Sequence, residues 1–271
     1  MKKITVVLLL AVIFILLTVF IMLGIKAYLD HDSELDEAIS ILFVTTSVTY
    51  PGVPQQVQTL SRVHGVAIKY EFLRAFATLD DIKESVISEI QESKYDYVVL
   101  QDGSYRPVTE LEEFFDVMRE LCDKTKEIGA IPILHNPAWK GYNPDFMEIT
   151  FLDKDGEEIG TGEEIQIRCT EAYKLAAREN GAILVNAGDA WAYAYKIIPG
   201  ISLYEDDGHH PSDAGSFLTA CVFASTLFDL QIKDIPKRNL YQGDDAIPLA
   251  QAAWEFVSYY KEHGKSPDAV E

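Results

Sequence analysis

The chain is poor in two residue classes that would settle a function at once. Only three cysteines occur in 271 residues, too few for a disulfide framework, and Cys122, Cys169 and Cys221 lie in helix-like apolar or mixed stretches as core thiols. Basic residues number 23 against 43 acidic, a net charge of −20. Nucleic-acid binding needs clustered Lys and Arg against phosphate, so that class is excluded as a partner. A Gly-x-Ser-x-Gly nucleophile elbow is missing, and with it the pattern of the larger α/β-hydrolases. There is also no internal repeat and no low-complexity segment. What remains is a chain 48% hydrophobic with 14 tyrosines, which is no disordered acidic polymer.

The N-terminus carries a long apolar run. Lys2 and Lys3 precede uncharged Ile4–Ile25, closed by Lys26, a length of about 33 Å as a helix. No small-x-small cleavage site follows. The reading is an uncleaved transmembrane signal-anchor over 1–26 and an acidic linker over 27–38. The N-terminal lysines would stay cytoplasmic and a globular domain over 39–271 would be extracytoplasmic, giving a single-pass protein of the cell membrane.

From residue 39 the pattern alternates. Apolar runs of strand length occur at 39–44, 66–72, 95–100, 130–134 and 182–185. Helical spacings lie at 53–63, 79–90, 111–126, 163–179, 212–228 and 247–260. Alternation of this kind predicts a three-layer α/β/α, flavodoxin-like domain around a mainly parallel five-stranded sheet. Asp153-Lys154-Asp155-Gly156 predicts a small hairpin insertion near 149–160. In such sheets ligands bind beyond the carboxyl ends of the strands.

Three segments near those ends carry chemistry. Thr45-Thr46-Ser47-Val48-Thr49-Tyr50 follows the first strand and presents a serine at the rim. Asp206-Asp207-Gly208-His209-His210-Pro211-Ser212 precedes a helix that Ser212 can cap. A carboxylate three residues before a histidine can hold Nδ1–H and leave Nε2 to take a serine proton. Both Asp206/His209 and Asp207/His210 fit, and Pro211 fixes the backbone of His210. Paired histidines also suit a metal, but no second cluster has ligand spacing, so neither metal nor cofactor is expected. Gln101-Asp102-Gly103-Ser104 follows the third strand with donors able to face an oxyanion.

Together these blocks resemble the SGNH/GDSL hydrolase superfamily, in a divergent branch with Gln and Ser in the third block. The resemblance implies Ser47 as nucleophile, with His210 as base and Asp207 as its orienter. It places Arg74-Ala75-Phe76-Ala77 where the second-block glycine belongs, so backbone N–H groups at Ala75 or Phe76, with Gln101 or Ser104, become the oxyanion-hole candidates. No oxyanion-hole asparagine aligns. The implied function is a serine esterase acting on carboxylic esters, acetyl esters first among them, of a small-molecule or carbohydrate substrate. The alternative is a catalytically degenerate domain that binds glycan or protein, with Trp139, Trp191, Tyr193 and Tyr195 able to line a cleft.

Overall fold

The computed structural model describes Phe20 and residues 38–49, 52–103, 105–140, 143–235, 237 and 240–267. The fold below is that of the unit Ile39–Glu271. Five strands form one parallel sheet: β1 (Ile39–Thr45), β2 (Ile68–Arg74), β3 (Tyr97–Leu100), β4 (Ile131–Asn136) and β7 (Ile183–Asn186), in the order β2-β1-β3-β4-β7. Two further strands, β5 (Thr150–Leu152) and β6 (Glu158–Thr161), pair antiparallel.

Alternate residues of β1 divide the core. Ile41 and Phe43 point into one apolar layer, Leu42 and Val44 into the other. The first layer is covered by α1 (Gly52–Val63), α6 (Ala187–Ile197), α7 (Asp213–Phe228) and α8 (Ala246–His263). The second is covered by α2 (Lys83–Glu92), α4 (Leu111–Glu127) and α5 (Gly162–Asn180), with a single turn α3 (Arg106–Thr109) leading into α4. Helix α5 begins in a capping box between Thr161 and Glu164 and ends at Gly181 in the left-handed region. All three cysteines are buried thiols.

Pro132 sits inside β4, a central strand. The Ile131 N–H donates to Asp96, so its neighbour faces the opposite side, toward β7. Pairing with β7 starts only at Ile133–Ile183, and no ladder bond is lost to the proline.

The membrane reading is corrected here. Among the described residues no helix is long and apolar enough to cross a membrane. The longest, α4, α5 and α8, run 17, 19 and 18 residues and carry charged side chains along their exposed faces. The signal-anchor and acidic linker lie outside the described residues, apart from Phe20 and Ala38. Single-pass anchoring, the membrane as partner and the extracytoplasmic placement built on it are therefore not carried further.

Candidate active site

Strand order reverses between β1 and β3, because the chain first winds outward to β2 and then returns past β1. Such a switch point leaves a crevice at the carboxyl ends of the two strands. Ser47 stands in it. The turn Thr46–Thr49 closes with a Thr49 N–H to Thr46 carbonyl bond of 3.2 Å. Gln101, the first residue beyond β3, extends the pairing by donating its N–H to the Val44 carbonyl at 2.9 Å. Its side chain is 0% exposed and reaches under the turn. Gln101 Oε1 accepts from the Thr46 N–H at 2.9 Å, the Thr46 hydroxyl at 3.2 Å and the Thr49 hydroxyl at 3.0 Å. Its Nε2 donates to Thr46 Oγ1 at 2.8 Å and to the Asp102 carbonyl.

The histidine loop is built as tightly. Tyr204 and Pro211 form an antiparallel bridge, and Glu205 N–H and Ser212 N–H donate to the His210 and Leu203 carbonyls, each at 2.9 Å. Gly208 turns the tip at φ +66, where a Cβ would run into the Phe146 ring. Ser212 then caps α7 by accepting the Gly215 N–H at 3.2 Å.

The loop brings His210 to Ser47. His210 Nε2 lies 3.1 Å from Ser47 Oγ, and His210 Nδ1 lies 2.6 Å from Asp207 Oδ2. Asp207 Oδ1 accepts the backbone N–H groups of His209 and His210 at 2.8 and 2.9 Å. The bond from His210 and these two amides hold the Asp207 carboxyl well below the usual carboxylate range. An ionised Asp207 makes Nδ1 the protonated nitrogen, so Nε2 accepts the serine hydroxyl proton. Of the two registers in this loop, the geometry joins Asp207 to His210. His209 packs its ring edgewise on His210, with centroids 4.8 Å apart. Burial, then the charges of His210 and Lys140, outweigh Asp207 and push the His209 pKa down.

The oxyanion candidates separate. The Ala75 N–H donates to the Thr45 carbonyl at 3.0 Å, inside the sheet, and Gln101 is engaged inward as above, so neither offers a donor to the crevice. Ser104 lies outside the described residues. Phe76 lines the crevice with an 85% exposed side chain, and no described residue accepts its N–H or that of Ser47. Gly103 fixes this loop from below, since a Cβ there would sit 2.6 Å from the Ala77 carbonyl oxygen. Asp102 Oδ1 ties the loops together by accepting the Leu79 and Gly103 N–H groups, both at 2.8 Å. Arg106 closes the floor with three carboxylates, Asp80, Asp102 and Glu110.

Two cavities meet at this point. One of about 320 Å³ holds Ser47, Phe76, Gly103 and His209. A second, of about 270 Å³, is walled by Tyr105, Trp139, Lys140, Phe151 and His209. Lys140 follows β4, a loop at the carboxyl edge whose apolar-aromatic sequence gives no signal of its own. A cavity of about 420 Å³ lined by Lys174, Asp189 and Tyr193 shares no residue with the serine–histidine pair. Trp191 is buried, with its indole N–H on Thr219 Oγ1 at 3.0 Å, and serves the core.

No protein-family model matches the chain, and no curated protein matches it. Solved structures do. A provisionally assigned SGNH hydrolase from Slackia heliotrinireducens superposes with a TM-score of 0.54 at 22% identity, over 70% of this chain and 100% of its own. A DUF4886 family protein from Bacteroides uniformis reaches 0.63 at 16% identity, over 86% and 98%. A family 3 carbohydrate esterase from Clostridium thermocellum reaches 0.51 at 12% identity, over 71% and 96%. The likeness is one of fold. It agrees with the α/β/α architecture.

Proposed function

We propose that this chain is an SGNH-type serine hydrolase that cleaves carboxylic esters with small acyl groups, acetyl above all. The observation that carries the reading is the hydrogen-bonded series Ser47–His210–Asp207 at the strand-order switch point. Fold likeness to a protein named as a carbohydrate esterase supports sugar alcohols as the esterified partner.

In this reading Ser47 Oγ attacks the ester carbonyl carbon while its proton passes to His210 Nε2. The electron pair of the carbonyl moves to oxygen, which the N–H groups of Ser47 and Phe76 receive. Collapse expels the alcohol, protonated by His210. Water then attacks the acyl-serine, giving a proton to Nε2; collapse breaks the bond to Ser47 Oγ, which takes that proton back, and the carboxylic acid leaves. Asp207 keeps the imidazole in the required tautomer throughout.

A fluorophosphonate probe tests this directly. The wild-type chain is expected to label at Ser47, located by peptide mass, and to hydrolyse 4-nitrophenyl acetate. Ser47→Ala should do neither while melting within about 1 kcal/mol of wild type, because its side chain stands on a rim. Turnover retained in the alanine variant defeats the assignment. A wild-type chain that neither labels nor turns over returns the fold to glycan or protein binding.

A further inference from the structure

We infer that the aromatic cavity beside His209 seats the alcohol half of the ester, and that Lys140 selects alcohols bearing an anionic group. This rests on the esterase reading above. The first link is position. The proposed oxyanion donor Phe76 lines only the cavity of Ser47, whereas the second cavity touches the serine site through Tyr105 and His209. His210 must hand its proton to the departing alcohol, so that alcohol lies on the histidine side of Ser47. The second cavity opens from the serine site at His209, the neighbour of His210, and offers room for that alcohol.

The second link is its walls. Trp139 meets Tyr105 at 5.6 Å and Phe151 at 4.9 Å between ring centroids, a lining suited to the flat apolar face of a ring. The third link is charge. Lys140 Nζ stands 4.9 Å from the Phe151 centroid, 5.4 Å from Phe146 and 5.8 Å from Trp139. Among the described residues no carboxylate lies within ion-pairing distance of it. Aromatic faces hold an ammonium without cancelling its charge. Arg106, the cation of the neighbouring cavity, is by contrast neutralised by three acids. A net charge of −20 disfavours anions over the surface as a whole, and Lys140 offers one a local partner. The class is an ester of a ring-bearing alcohol with a carboxylate or comparable anion on the ring.

Two acetates differing in one charge test the inference: 4-acetoxybenzoate and neutral 4-acetoxybenzamide. The wild-type chain should favour the benzoate in kcat/KM by about tenfold, the worth of one charge-assisted contact at a half-exposed ammonium. Lys140→Met should bring the ratio to near one, and Lys140→Arg should keep it. Because the amide serves as internal reference, partial loss of folding cancels. Equal rates on the two acetates, or a preference unchanged in Lys140→Met, overturn the inference. Should the wild-type chain hydrolyse neither acetate, the esterase reading fails, and calorimetry with 4-hydroxybenzoate and 4-hydroxybenzamide judges the subsite alone. Benzoate binding lost in Lys140→Met then sustains an anion subsite, and equal or absent binding removes it.

Discussion

Replacing Gln101 with leucine probes whether the serine turn is held from beneath. Leucine has nearly the volume of glutamine, so packing is kept while every polar contact is removed. The Thr46 N–H loses its acceptor in a fully buried place, and an orphaned buried donor costs about 1–3 kcal/mol. The hydroxyls of Thr46 and Thr49 can turn to new acceptors and add less. A loss of about 2–4 kcal/mol follows, a fall in melting temperature on the order of 5–15 °C for a domain of this size. The larger effect falls on rate. Ser47 follows Thr46 directly, and a shift of about 1 Å in a reacting atom costs roughly 10²-fold. Assayed with 4-nitrophenyl acetate well below the melting temperature, Gln101→Leu should lose about 10²-fold in kcat with KM nearly unchanged, and fluorophosphonate labelling should slow in step. Gln101→Glu, neutral in so buried a place, can accept the same three bonds and should recover most of the rate. A leucine variant with kcat within threefold of wild type refutes the clamp. So does a glutamate variant as slow as leucine at an unchanged melting temperature, which would make Nε2 an oxyanion donor instead.

Three further outcomes follow from the site and the core. His210→Ala should abolish turnover and Asp207→Asn should lose most of it through the wrong tautomer, while His209→Ala changes KM more than kcat; steady-state kinetics on the three variants distinguishes the registers. Gly103→Ala drives a methyl against the Ala77 carbonyl and displaces the loop of Phe76, so kcat should fall by about 10–10²-fold, read beside an intact far-ultraviolet circular dichroism spectrum. His135 lies buried against Phe223, and burial lowers its pKa to about 4. The unfolded chain, with a histidine pKa of about 6.5, therefore binds the proton first, and stability drains away as pH falls from about 6.5 toward 4. Urea unfolding at pH 7.5 and 4.5 should show the wild type losing about 2–3 kcal/mol more than His135→Leu; parallel losses would contradict a neutral buried imidazole.

The sheet and the histidine loop were legible because their signals are local. An apolar run of strand length, a Ser cap and an Asp-x-x-His spacing each reveal themselves within a few residues. Helix α6 was not foreseen. Its Ala187-Gly188-Asp189-Ala190-Trp191 start is buried almost all round, so it has no polar stripe to mark a period, and Gly188 lowers its propensity. Gln101 was legible as a polar residue at the right strand end but not in its direction. Whether an amide faces the crevice or the turn depends on partners 52 and 55 residues away. Lys140 was missed for a different reason: its rings are close in sequence, at Trp139, Phe146 and Phe151, but only the turn into β5 folds the last two back against it.

Ser47 and His210 are 163 residues apart in the chain, and the distance has a temporal meaning. At about 5–20 residues per second of synthesis, strand β1 emerges roughly 8–30 s before the loop that brings His210 to its serine. Throughout that interval the hydroxyl lacks its histidine, and on the proposed reading the nascent chain would be silent toward esters in its surroundings. Reactivity would arrive in one step, when α7 docks beside α1 and carries His210 into reach. On the proposed reading, fluorophosphonate labelling of the serine would then time the docking of α7 rather than the formation of β1.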